Sequence, residues 1–232
     1  MPSNAGHGRS DFVERFGLLD EERRKRNAEV EKIVSAQQLD VIRLSFADQH
    51  GILRGKTIMA SDLRSAFNSG VSMTTTLLAK DTSHKTIYPI WNDGGGFGLE
   101  EMTGGGDFLM VPDPSTFHTL PWANGTGWLQ CDIYFSDGNP VQFCTRNKLR
   151  QSIAELERIG YKLVVGLEIE FHLFRLRDTI LRPEEAGQPG KPPQVDLLAH
   201  GFQYLTEIRA DQHESIMEII RRNLLALELP LR

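Results

Sequence analysis

The chain has 232 residues, of which 40% are hydrophobic and 25% are charged. This composition excludes a wholly disordered chain, and the length allows one large domain or two small ones. The formal net charge of −5 disfavours a basic nucleic-acid-binding domain, and no apolar run is long enough for a transmembrane helix. With two cysteines and no apolar leader in its first residues, the sequence predicts a cytoplasmic protein with reduced thiols.

The first elements are a helix and a hairpin. Asp20 is suited to cap a charged helix that runs to about Gln38. From Leu39 the hydrophobic period changes to two, which predicts a half-buried strand. A turn over 48–51 and a returning strand over 52–59 complete the hairpin.

The middle of the chain predicts a short helix, a long loop and two strands. The helix runs from Ser61 to Asn68 and ends before Gly70. Residues 71–106 are loop-rich and contain two glycine triplets, for which we favour a disordered loop over a mobile flap. Strands are expected over 108–111 and 128–135.

The pattern becomes α/β near Val141. We expect a helix over 145–159 and a long strand over 161–174. Asp211 and Glu214 form a D-x-x-E capping box that predicts the start of a last helix.

One glycine-rich segment, Gly51–Thr57, resembles a phosphate-binding loop. It has three residues between its glycines where that motif needs four, and a strand follows where a helix is needed. The segment instead predicts a basic hairpin arm whose shape depends on Gly51 and Gly55.

Within the strand predicted over 161–174, acidic and apolar residues alternate. Glu168, Glu170 and His172 share one face, because residues two apart in a strand point the same way. Two neighbouring carboxylates repel unless a cation lies between them, and Mg²⁺ and Mn²⁺ favour carboxylate oxygens. The alternative is the solvated outer face of an amphipathic strand, and spacing alone leaves both interpretations open.

Four segments, in this order along the chain, resemble the glutamine synthetase family and its relatives that act on other amines. They are Phe46–Gly51 with Arg54–Lys56; Asp107–Asp113 with Thr116 and Leu120–Trp122; Cys131–Asp132 with Asp137–Gly138, Pro140, Arg146 and Leu149; and Gly166–Phe174, which matches the pattern G-x-E-x-E-F-x-x-F.

The resemblance implies an α+β fold in which a β-grasp N-terminal domain is followed by an incomplete glutamine synthetase-type catalytic α/β domain. The expected ranges are 1–38 for an N-terminal tail and helix, 39–140 for the β-grasp domain and 141–232 for the start of the catalytic domain.

The resemblance also implies a ligase that uses ATP to join glutamate to ammonia or a small amine through a γ-glutamyl phosphate. Glu168 and Glu170 would be the first two ligands of Mg²⁺ or Mn²⁺, whereas His172 stands where the family motif requires no ligand.

The resemblance further implies active sites that lie between subunits of a homo-oligomer. Asp81 is the candidate for the acid lent to a neighbour, and an ordinary loop carboxylate is an equal alternative. No nucleic-acid or membrane partner is expected.

The family needs further metal-binding glutamates and arginines after the point that Arg232 reaches. We therefore expect this chain to be inactive alone, with exposed apolar surface and open sheet edges in its last part. Two alternatives are a short form that assembles with full-length subunits and a free-standing metal-binding or β-grasp module.

Overall fold

A computed structural model describes residues 11–187, 189–199 and 205–231. The chain divides into two compact units. The first contains the described residues of Met1–Lys80 and Thr86–Tyr161, and the second those of Asp81–Lys85 and Lys162–Arg232. Among the described residues, no helix combines the length and apolar character that crossing a bilayer requires.

Five α-helices and eight strands can be assigned in the described part of the chain. The helices are α1 (Phe12–Arg15), α2 (Glu21–Ala36), α3 (Leu63–Ser69), α4 (Thr145–Arg158) and α5 (Glu207–Ala226). The strands are β1 (Val41–Ala47), β2 (Leu53–Met59), β3 (Val71–Thr74), β4 (Asp107–Pro112), β5 (His118–Thr119), β6 (Thr126–Phe135), β7 (Phe174–Leu176) and β8 (Val195–Leu197).

The predicted N-terminal helix and hairpin are confirmed. The Asp20 carboxylate accepts a hydrogen bond of 2.7 Å from the Arg23 backbone N–H and so caps α2. Strands β1 and β2 pair antiparallel along their whole length, from Val41 opposite Met59 to Ala47 opposite Leu53. These elements were predictable because their signals are local.

The first unit contains a mixed, strongly curled sheet. Its strand order is β2-β1-β6-β4-β3, with β5 added on β6, and the β1–β6 pair is parallel. Lys56 on one edge strand donates a hydrogen bond of 2.6 Å to the Ser72 carbonyl on the other edge strand. Neighbouring strands of a flat sheet lie about 4.8 Å apart. With three strands between β2 and β3, the edges of a flat sheet would be too far apart for one lysine side chain to join them. The sheet must therefore curl until its two edges approach each other.

The curl encloses the main core. Ile42, Leu44 and Phe46 of β1 alternate with exposed or half-buried residues and pack inward, as the period of two predicted. Both cysteines, Cys131 and Cys144, are buried free thiols in this core. A smaller second cluster, formed by Phe12, Val13 and Val111, joins α1 to β4.

The glycine-rich segment is folded, so the expected disorder is wrong. Residues 96–98 and 100–105 form short 3₁₀ turns, and Met102 is buried among them. Gly96 has φ +72°, and a Cβ placed on it would come within 2.6 Å of the Met102 Cβ. The glycines thus permit left-handed turns and close packing, a role that composition alone does not distinguish from flexibility.

In the second unit, the strand predicted over 161–174 forms only at its end. Residues 161–173 have no regular secondary structure, and β7 pairs antiparallel with β8. A strand needs a neighbour for its hydrogen bonds, and the described residues offer none to this segment. Its apolar side chains are exposed, up to 90% at Val164 and 89% at Leu167, which agrees with the expected apolar surface.

The predicted start of the last helix is also wrong. Helix α5 follows the N-cap residue Thr206, so Asp211 lies inside the helix and is not its cap. Glu214 accepts a hydrogen bond of 2.7 Å from Arg221 and takes no part in a capping box. A D-x-x-E pattern in the middle of a helix is indistinguishable in sequence from one at its start.

Candidate functional site

The two candidate metal ligands, Glu168 and Glu170, lie in the irregular part of the second unit. Both side chains are exposed. Across the described residues, no group of three or more His, Cys, Asp and Glu side chains is arranged to hold a metal ion. The two carboxylates have the hard oxygen donors that Mg²⁺ and Mn²⁺ prefer, and a complete coordination shell would need further ligands.

An open hollow of about 1180 Å³ adjoins this segment within the second unit. Residues 169–173 form one wall, and His213 and Met217 of α5 contribute to another. The His213 Nδ1 atom is buried and has no hydrogen-bond partner among the described residues. His172, which the resemblance leaves without a metal role, stacks on Phe174 with ring centroids 6.1 Å apart.

The Asp81 side chain accepts hydrogen bonds from the backbone of its own loop. One carboxylate oxygen accepts hydrogen bonds from the backbone N–H groups of Ser83 and Lys85, at 2.8 and 2.9 Å. This arrangement stabilises a turn, as Asp side chains commonly do. It accounts for an ordinary structural role, and a chemical role for Asp81 stays a prediction.

The tip of the β1–β2 hairpin contains a buried carboxylate. The Asp48 side chain is 1% exposed; it accepts N–H bonds from His50 and Ile52 and a 2.6 Å bond from Arg54. Burial alone would raise the pKa of Asp48, but the hydrogen bonds from Arg54 and the two backbone N–H groups outweigh it and hold the pKa below its ordinary value. Strand β2 then follows, which agrees with a hairpin arm in place of a phosphate loop.

The lowered pKa of Asp48 makes the stability of the first unit depend on acidity. Because the folded state favours the ionised carboxylate, this contribution is complete above the ordinary Asp pKa of about 4 and is lost as the pH falls through the lower folded value. We expect Asp48→Asn to weaken the acid dependence of urea unfolding below about pH 4. The exposed Asp62→Asn is the control. An unchanged acid dependence in Asp48→Asn would contradict the assignment.

A second charged cluster joins α4 to the sheet of the first unit. Arg146 donates a 2.5 Å bond to Asp132 on β6 and a 2.6 Å bond to Asp113, which follows β4. Arg150 donates a further 3.1 Å bond to Asp132. Asp113 also accepts two bonds from Ser115. We call these four charged residues the Arg146 cluster.

Electrostatics in the Arg146 cluster favour the ionised forms. Burial opposes charge on Asp113, but hydrogen bonds from Arg146 and Ser115 outweigh it and lower the pKa of the carboxyl. Burial also opposes charge on Arg146, but the hydrogen bonds and negative charges of Asp113 and Asp132 outweigh it and raise the pKa of the guanidinium. Two arginines and two aspartates compensate one another, so the cluster fixes a helix on a sheet and offers no unbalanced charge to a ligand.

The Arg146 cluster was not among the sites that the sequence predicted. A local signal was available, because Arg146 and Arg150 are four residues apart and share one side of α4. The two aspartates come from separate elements, and their pairing with the arginines depends on tertiary structure.

The Cys131 thiol is buried, and burial raises its pKa, which agrees with an inert packing role.

Comparison with known proteins gives relatives but no match to a family model. The chain is 36% identical over 228 residues to a gamma-glutamylanilide synthase of Acinetobacter sp., covering 96% of this chain and 46% of that protein. It is 32% identical over 151 residues to a glutamine synthetase of Methanosarcina mazei, covering 64% of this chain and 30% of that protein.

The fold has a similar counterpart among solved structures. A complex of GmaS with ADP matches with a TM-score of 0.54 and 17% identity, covering 85% of this chain and 38% of the other. The chain spans less than half the length of these proteins. The sequence identity runs through nearly the whole chain and the structural similarity agrees with it, so the chain belongs to the glutamine synthetase-like family.

Proposed function

We propose that this chain is the N-terminal part of an ATP-dependent ligase that joins glutamate to ammonia or a small amine. The proposal rests on one observation, the 36% identity to a gamma-glutamylanilide synthase along 96% of the chain. In this reaction ATP phosphorylates the γ-carboxylate of glutamate, and the amine nitrogen then displaces phosphate to form the amide.

The division of labour within the chain is also proposed. Residues 39–140 would form the β-grasp domain and residues 141–232 the start of the catalytic domain, after an N-terminal tail and helix over 1–38. The mixed sheet with its parallel β1–β6 pair supports the β-grasp assignment. The Arg146 cluster joins α4 to β6 within the first unit, so the first helix of the proposed catalytic part packs on this sheet.

The proposed metal ligands are Glu168 and Glu170. They would provide carboxylate oxygens to Mg²⁺ or Mn²⁺, which supplies positive charge to the phosphates of ATP when bound. Exposure of both side chains is compatible with this role, since nothing among the described residues blocks them.

We further propose that the complete protein is a cytoplasmic homo-oligomer whose active sites are shared between subunits, with Asp81 lent to a neighbouring site. The support is the family membership and the position of Asp81 in a loop whose turn is fixed by its own hydrogen bonds. A fixed loop can present an acid with little loss of entropy on binding.

The ligase proposal is tested on the natural gene product, captured from its source with an antibody to this chain. We expect a polypeptide longer than 26.2 kDa that releases phosphate only when ATP, glutamate and an amine such as aniline are all present. The isolated 232-residue chain should release none. Absence of glutamate- and amine-dependent phosphate release from the natural product would overturn the proposal.

The metal assignment is tested by Glu168→Gln and Glu170→Gln in that active polypeptide. Each substitution removes a charged oxygen donor, so Mn²⁺ affinity and ligase kcat/KM should both fall at least about tenfold. Glu184→Gln, an exposed change in the same unit, should leave both unchanged. Mn²⁺ binding that is equal in all three variants would show that the metal lies elsewhere.

A further inference from the structure

An open pocket in the first unit is unrelated to the residues that carry the proposed ligase chemistry. It has a volume of about 560 Å³ and lies between residues 37–40, at the end of α2, and residues 119–125, which precede β6. The side chains that decide its chemistry are those of Gln37, Asp40, Trp122 and Asn124.

Hydrogen bonds fix the two walls of the pocket to each other. The Asp40 N–H donates to the Gly125 carbonyl at 2.8 Å, and the Thr119 hydroxyl donates to the Gln37 side-chain oxygen at 2.7 Å. Within the second wall, the Leu120 N–H donates to the Thr126 carbonyl at 2.9 Å. The pocket is therefore formed by a rigid frame in which little needs to be ordered on binding.

Asp40 gives the pocket its charge. It is the sole charged residue among the described residues that line the pocket. Within the described part of the chain its carboxylate carries no hydrogen bond or ion pair. A Cβ placed on Gly125 would come within 2.5 Å of Asp40 Oδ2, so the carboxylate lies directly over this glycine. The glycine leaves that oxygen accessible.

Trp122 supplies an aromatic surface in the same pocket. Its side chain is 56% exposed, although large aromatic residues usually bury most of their area. A tryptophan face attracts cations through its quadrupole, and a carboxylate attracts them through its charge. Amide oxygen from Asn124 adds a further acceptor nearby.

We propose that this pocket binds an organic ammonium ion, with the apolar part of the ligand on Trp122 and its positive charge facing Asp40. A neutral molecule of the same shape would gain only the contact with the indole. A small inorganic cation would gain only the charge. The combination of both features in one rigid pocket selects a cation that carries hydrocarbon groups.

The proposal is tested with choline and its uncharged carbon isostere, 3,3-dimethylbutan-1-ol, on the whole 232-residue chain at low salt. Binding is followed by the NMR signal of the Trp122 indole N–H, assigned with Trp122→Leu. We expect choline to shift this signal with a Kd in the millimolar range, and the alcohol to bind at least about threefold more weakly. Equal affinities for the two probes, or no shift with choline, would overturn the proposal.

Variants separate the two contributions. Asp40→Asn should weaken choline binding about threefold without weakening the binding of the alcohol. The control variants Asp62→Asn and Trp91→Leu change an exposed acid and an exposed tryptophan outside the pocket and should bind choline normally. If Asp40→Asn binds choline as tightly as the unmodified chain, the carboxylate has no part in recognition and the proposal fails.

Discussion

Arg146→Ala is expected to lower the free energy of unfolding of the first unit by about 3 kcal/mol. The substitution removes the shared partner of Asp113 and Asp132, which lie largely out of solvent. Removing one side of a mostly buried ion pair costs more than the pair contributes. Without Arg146, Asp113 would have an arginine only at 3.9 Å and Asp132 would keep only its 3.1 Å ion pair, in both cases with Arg150. Urea unfolding followed by tryptophan fluorescence reports on this unit, since all three tryptophans lie in its sequence range.

The matched control for Arg146→Ala is Arg158→Ala on the same helix. Arg158 pairs with Glu155 at the surface, and both side chains are about 70% exposed, so the loss should be below about 0.5 kcal/mol. If both variants unfold at the same urea concentration, the Arg146 cluster does not fix α4 to the sheet.

Gly55→Ala should destabilise the first unit by about 3 kcal/mol, or prevent it from folding. A Cβ at this position would lie 1.8 Å from the Leu44 carbonyl oxygen, which is backbone and has no rotamer to escape into. Relief requires β2 to move away from β1 in the middle of their ladder. The measurement is the urea midpoint, supported by far-ultraviolet circular dichroism to detect loss of the fold.

Gly51→Ala in the same hairpin is the comparison. Gly51 has φ +76°, and nothing lies within 4 Å of a Cβ placed there. The expected cost is therefore only the left-handed backbone strain of about 1 kcal/mol. If Gly51→Ala lowered the urea midpoint as much as Gly55→Ala, the close approach of the two strands at Gly55 would not be the main constraint on the stability of the hairpin.

This pair of glycines illustrates what the sequence could predict about the fold. Alternating hydrophobicity and turn residues predicted the hairpin correctly, and both Gly51 and Gly55 were expected to shape it. Their different functions were not predictable, because the carbonyl that excludes a side chain at Gly55 belongs to the partner strand. The same limit applies to the Arg146 cluster, whose four residues come from three separate parts of the chain.

The candidate metal site shows a different limit. The spacing of Glu168 and Glu170 predicted that both lie on one face of a strand, and the family resemblance implies that they bind a metal ion. The strand that would aim both side chains in one direction is not formed over 161–173, because the described residues provide no neighbouring strand. The spacing of two carboxylates shows that they would share one face if the segment were a strand. Whether the segment forms a strand depends on pairing with another strand, which local sequence does not show.

The hydrogen bond from Lys56 to Ser72 restricts how another chain could add a strand to this sheet. Edge strands ordinarily expose backbone groups that can recruit a strand from another chain. In the first unit the Lys56 ammonium is bonded to Ser72 across the gap between β2 and β3, so a foreign strand entering there would have to break that bond and bury the charge. Assembly through this gap by a continuous intermolecular sheet is thus disfavoured. A second chain that met this part of the unit would contact it through side chains and loops.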